Sequence, residues 1–113
     1  MLKKFFATML LAVTLVFVGA QDNTAEAREV FMGYYSDGSA VYLLTETIEE
    51  SPRNTSYAFV CTVRAGYDYL EYGFEYDGHG GANYGNSEGY HGNINDGRSP
   101  VARAIWNYWI NHR

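Results

Sequence analysis

The stretch "TSYAFVCTVRAGYDYLEYGFEY", residues 55–76, decides the fold. Two runs rich in aromatic and β-branched residues, 55–64 and 67–76, flank the pair Ala65-Gly66. That pattern predicts two antiparallel strands joined by a tight connection. Alternation with period two assigns their faces. In the first run Tyr57, Phe59, Cys61 and Val63 share one side. In the second Leu70, Tyr72, Phe74 and Tyr76 share one side, and Glu71 and Glu75 lie opposite. One face of the sheet is therefore apolar and needs a cover. Cys61 alternates with Phe59 and Val63 and reads as a small buried hydrophobe.

Working outward from this hairpin, residues 29–35, "EVFMGYY", and 39–48, "SAVYLLTETI", predict two further strands around the turn residues "SDG" at 36–38. "EESPRN", residues 49–54, is polar, contains Pro52 and reads as a loop. On the C-terminal side, "SPVARAIWNYWINHR" predicts a helix. Ser99 is a good N-cap and Pro100 suits the first helical position. Val101, Ala104, Ile105 and Tyr108 recur at helical spacing, and Ala102, Trp106, Trp109 and Ile110 widen the stripe. An antiparallel sheet with one apolar face is stabilised by such a helix.

Between strand and helix lies "DGHGGANYGNSEGYHGNINDGRSP", residues 77–100. A connection of this length inside a small domain is unusual unless it is functional, disordered or hides a strand. A fifth short strand is expected around Ser87–Asn93. The expected fold is α+β: a mostly antiparallel sheet of four to five strands with one C-terminal helix packed on it.

The chain begins "MLKKFFATMLLAVTLVFVGAQDNTAEA". Lys3 and Lys4 precede an uncharged run from Phe5 to Val18, and small residues follow. That order predicts a secretory signal peptide over 1–27, cut after Ala25-Glu26-Ala27, with cleavage after residue 20 as the alternative. The apolar run is shorter than the roughly 20 residues a spanning helix needs. Residues 28–113 then form one small domain, secreted, periplasmic or associated with the cell envelope, and not anchored in a membrane. That part has no Lys, six Arg and eleven Asp or Glu. So acidic a surface without a basic run argues against nucleic acid and against anionic membrane surfaces. A single Cys permits no internal disulfide, so stability rests on packing.

Several stretches, "VYLLTETI" (41–48), "CTVRAG" (61–66), "NSEGY" (86–90) and "SPVARAIWNYW" (99–109), behind a signal peptide, together resemble a group of small exported bacterial proteins of unknown function. The resemblance spans nearly all of the expected mature chain. It implies export and a shared compact domain, and it carries no site residue.

Catalytic constellations are weak. Cys61 with His79 or His91 needs an exposed thiol, which its strand position opposes. Ser87, His91 and Asp96 offer the residue types of a hydrolytic triad, but no G-x-S-x-G pattern holds them. Glu71 and Glu75 lie four strand residues apart, about 13 Å, beyond the roughly 5–9.5 Å of glycosidase carboxyl pairs. No catalytic residue is assigned. Asp77, His79 and His91, with Glu88 and Asp96 nearby, supply metal-ligating types, but their spacing matches no zinc or calcium pattern. No metal or cofactor is assigned.

Binding without chemistry remains. Tyr84, Tyr90, Asn86, His91, Trp106 and Trp109 are the candidate contact residues, since rigid aromatics beside small polar groups suit adaptable recognition. For the two tryptophans core packing is the competing role. The expected function is a small non-enzymatic binding or interaction protein with a protein or glycan partner outside the cytoplasm. The alternative is a small extracytoplasmic hydrolase or metal-binding protein using His and acidic residues of 75–96.

Overall fold

The structure, a computed structural model, describes residues 28–113. The expected signal peptide, with either cleavage site, lies outside the described residues. Six antiparallel strands form a meander in which each pairs with the next: β1 (Glu29–Tyr34), β2 (Ala40–Glu50), β3 (Phe59–Ala65), β4 (Asp68–Tyr76), β5 (Ala82–Asn86) and β6 (His91–Asn93). One helix, α1 (Pro100–His112), follows. The α+β class is as expected. The strand count is not: the sheet has six strands where four to five were expected.

The extra strands come from the glycine-rich segment. The expected strand at 87–93 is instead a β5–β6 hairpin whose turn occupies 87–90. The reason is local. Asn86 Oδ1 accepts the amides of Glu88 at 3.0 Å and Tyr90 at 3.1 Å, so the chain reverses where a strand was expected to continue. Asp77 does the same between β4 and β5. Its Oδ1 accepts the amides of His79 at 2.7 Å and Gly81 at 3.0 Å.

The inner face carries the core. Val41, Leu43, Phe59, Cys61, Val63, Leu70, Tyr72, Phe74 and Tyr84 are buried there against Val101, Ala102, Ile105, Trp106 and Trp109 of α1. Phe59 and Phe74 are cross-strand partners whose rings stack 4.7 Å apart, and Trp109 stacks on Phe59 at 4.5 Å. Truncating a ring at the centre of this stack costs about 3–5 kcal/mol. Ser99 Oγ accepts the Ala102 amide at 3.0 Å, and Pro100 begins the first turn. Ile110 was expected in the buried stripe and is 41% exposed, because the face that meets the sheet is set by Trp106 and Trp109 one turn apart.

Two features of the sheet depart from simple period-two alternation. β3 starts at Phe59, and Tyr57 precedes it rather than sharing its inner face. The Tyr57 ring lies over Gly73 on the outer face, where a strand position without a side chain leaves room. β2 runs to Glu50, past the expected end at 48, but it is interrupted. Leu44 pairs with Thr62 and Glu49 with Val60, so residues 45–48 bulge opposite the single residue Cys61. Thr47 pins the bulge: its Oγ1 donates to Leu44 O at 2.6 Å and accepts the Thr62 amide at 2.8 Å.

Among the described residues no helix is long and apolar enough to cross a membrane.

Candidate functional site

The candidates read from sequence separate into three environments. Tyr84, Trp106 and Trp109 are core residues, exposed by 6%, 4% and 4%. Tyr84 packs near Tyr72 and Phe74, and its hydroxyl sits 3.1 Å from where a Gly92 side chain would begin. Trp109 Nε1 donates to Glu50 Oε2 at 3.0 Å. Asn86 is consumed in holding its turn and in hydrogen-bonding Tyr72. Only Tyr90 and His91 stand in solvent, at the β5–β6 hairpin. These six residues do not form one surface.

The residues weighed for metal are likewise spread over separate turns. Asp77 Oδ2 accepts the Asn93 side-chain amide at 2.8 Å, and Asp96 Oδ2 accepts the Asn93 backbone amide at 3.0 Å. Asp96 Oδ1 also accepts the Arg98 amide at 2.8 Å. Hydrogen bonds from Asn93, with further backbone amides, hold both carboxyls below the ordinary value of 3.8. They act as turn caps. His79 and His91 are exposed and lie apart, His79 in the β4–β5 turn and His91 at the start of β6. Among the described residues no three His, Cys, Asp or Glu come together as a metal centre. Cys61 is buried as expected, and burial pushes its thiol up, away from the reactive thiolate.

The arrangement that does present a surface lies on the outer face of β1–β4. The register aligns Phe31 with Tyr42, Tyr42 with Arg64 and Arg64 with Tyr69. These four side chains form one cross-strand row, because paired residues point to the same face. The Phe31 and Tyr42 rings meet edge-on at 5.7 Å, and Tyr34 adds a second edge contact to Phe31 at 5.2 Å. Arg64 lies over the Tyr42 ring, 4.7 Å from its centroid. Glu29 holds one edge of the same guanidinium in a bidentate pair, Nη2 donating to Oε1 at 2.7 Å and Nε to Oε2 at 3.0 Å. The row is thus rigid before any partner arrives. Phe31 is 48% exposed and Tyr34 65%, and Tyr67 stands fully exposed at the β3–β4 turn of the same sheet end.

Sequence reading missed this row. Its signal was present within β4, where Tyr69 alternates with the core-facing Leu70 and Tyr72. What was lacking was the register that lines up Phe31, Tyr42 and Arg64 from three other strand segments.

Within the bulge, a carboxylate sits in an unusual place. Both carboxyl oxygens of Glu46 are shielded from solvent without a hydrogen-bond partner. Burial, with the nearby Glu29 charge, pushes its pKa up from 4.5, and burial pushes Glu71 up as well.

The fold and the aromatic row define the class as a small α+β meander protein with one open sheet face. No family model, no curated protein and no solved structure matches this chain.

Proposed function

We propose that this is a small exported, non-enzymatic binding protein that meets a protein or glycan partner with the outer face of its sheet. The observation that carries the reading is the outer-face cross-strand row of Phe31, which is exposed, with Tyr42, Arg64 and Tyr69, which are half-buried. Rigid aromatic rings offer contact area at little entropic cost, and an exposed aromatic patch on a small protein marks an interaction surface. Arg64, fixed by Glu29 and Tyr42, supplies directed N–H donors at the centre. Export is supported by the N-terminal sequence pattern and by the resemblance to small exported bacterial proteins, and an acidic chain without a basic run argues against a nucleic-acid partner. The hydrolase or metal alternative draws no support from residues 75–96, whose carboxylates Asp77 and Asp96 cap turns.

The test is binding of the purified protein to arrayed cell-surface glycans and to envelope protein fractions, followed by NMR mapping of any hit. The expected result is shifts confined to Phe31, Tyr34, Tyr42, Arg64 and Tyr69. A Tyr42→Ser and Arg64→Ala pair should abolish binding while the unfolding temperature stays within a few degrees. A hit whose shifts map instead to the β5–β6 hairpin, or one that survives this pair unchanged, overturns the reading.

A further inference from the structure

A second feature shares no residue with the aromatic row. Between the β2 bulge and the last turn of α1 lies a half-enclosed cleft of about 200 Å3. Ile48, Tyr108 and Trp109 give it apolar walls, and Glu50, His112 and Arg113 border it. Sites for drug-sized ligands usually span roughly 300–1,000 Å3, so an occupant here must be smaller.

Each ionisable group is held in place with capacity left over. Arg113 lies over the Trp109 ring, 4.5 Å from its centroid, and its Nη1 donates to the Tyr76 hydroxyl at 3.4 Å. Its other N–H groups have no acceptor among the described residues, and a guanidinium fork suits a carboxylate. Glu50 uses Oε2 to accept from the Trp109 indole, which leaves Oε1 for a cation. His112 stacks on Tyr108 at 4.0 Å, and its Nδ1 donates to the Tyr108 carbonyl at 2.8 Å, which leaves Nε2 for a ligand.

The signs of these charges select the ligand. A simple anion would meet Arg113 but also Glu50 and the negative end of the α1 dipole. A simple cation would meet Glu50 but also Arg113. A small molecule that carries both charges complements the two together, since Glu50 and Arg113 both border the cleft against Trp109. We propose that this cleft binds a small zwitterion of the α-amino acid class. The carboxylate sits on the Arg113 fork, the ammonium on Glu50, and an apolar side chain against Ile48 and Tyr108.

The test is titration of the purified protein with free L-amino acids, followed by Trp fluorescence and by NMR. Leucine, its N-acetyl form and its amide are the probes. The expected result is saturable binding of leucine, weakened at least tenfold when either charge is removed. Glu50→Gln keeps an acceptor for the indole, and Arg113→Lys keeps the charge but loses the fork. Each should also weaken leucine binding at least tenfold with unchanged thermal unfolding. Equal binding of the N-acetyl form would make this an anion site, and equal binding of the amide a cation site. Either result, or no saturable change with any amino acid, overturns the proposal. The probe comparison uses the unaltered protein, so it holds even if a variant fails to fold. Loss of the sheet-face row would leave amino-acid binding untouched.

Discussion

The ring of Tyr57 fills the space that a side chain on Gly73 would need: a Cβ at Gly73 would begin 2.6 Å from Tyr57 Cε1. Glycine in a mid-sheet position normally weakens a strand, and here an aromatic ring from the preceding loop covers the exposed backbone. Gly73→Ala should therefore destabilise by about 1–3 kcal/mol through overpacking, measured by urea unfolding. Tyr57→Ala in the same chain should recover most of that loss. Equal effects of Gly73→Ala with and without Tyr57 would show that the two do not compete for the site.

The hydroxyls of Tyr35 and Tyr72 share a 2.5 Å hydrogen bond on the inner side of the sheet, tying the β1–β2 turn to β4. Burial raises the pKa of both above the ordinary value of 10. A raised folded-state pKa contributes stability that is intact below the unfolded value and is lost as pH rises through the folded one. Alkaline titration followed by tyrosinate absorbance should show these two tyrosines ionising only when the protein unfolds. Tyr35→Phe should cost about 1 kcal/mol near neutral pH and make stability fall less steeply in alkali, because one buried phenol no longer has to ionise on unfolding.

Glu46 carries a carboxyl shielded from solvent that no other residue hydrogen-bonds, so burial outweighs the help of its own backbone amide. Its raised pKa, like that of Glu71, means that folding favours the protonated acid. Stability from these groups is fully present below 4.5 and is lost as pH rises through their folded values. Glu46→Gln should therefore raise the unfolding temperature at neutral pH and give no gain below about pH 4. A neutral-pH loss would mean that the carboxylate has a compensating partner.

Asp77 and Asp96 act in the opposite direction. Their lowered pKa values contribute stability that is present above 3.8 and lost as pH falls through the folded values. Glu46 and Glu71 pull the other way, so the combined contribution of these four carboxyls is greater in mild acid than at neutral pH. Asp96→Ala should steepen heat sensitivity at neutral pH and flatten the loss on the acid side, as read from unfolding temperatures across a pH series. Asp96→Asn, which keeps an acceptor oxygen, should lie between the two.

Gly92 tests how tightly the β5–β6 hairpin is packed. A Cβ there would begin 2.6 Å from Asp96 Oδ2 and 3.1 Å from the Tyr84 hydroxyl. Gly92→Ala must displace a turn cap or a core ring, so it should destabilise more than Gly85→Ala, whose nearest neighbours lie at 3.9 and 4.0 Å. Amide exchange should show the loss first at Asn93 and Ile94.

The sequence by itself determined the parts of this protein whose signals are local. Alternation around Cys61 placed the β3–β4 core, because a strand exposes every second residue to one side. Ser99-Pro100 followed by Val101, Ile105 and Trp109 placed the helix and the side it buries, because capping and period are properties of the chain alone. Tertiary structure decided what depends on neighbours distant in sequence. Asn86 and Asp77 turned the glycine-rich segment into two short strands, since their side chains capture amides that could equally have joined a longer strand. Tyr57 left its expected face because only the folded sheet brings Gly73 beneath it. Phe31, Tyr42, Arg64 and Tyr69 became one surface through register, and the Arg113–Trp109–Glu50 cleft arose where the last helical turn meets the β2 bulge. Those juxtapositions are set by packing between segments, and no spacing within any one segment encodes them.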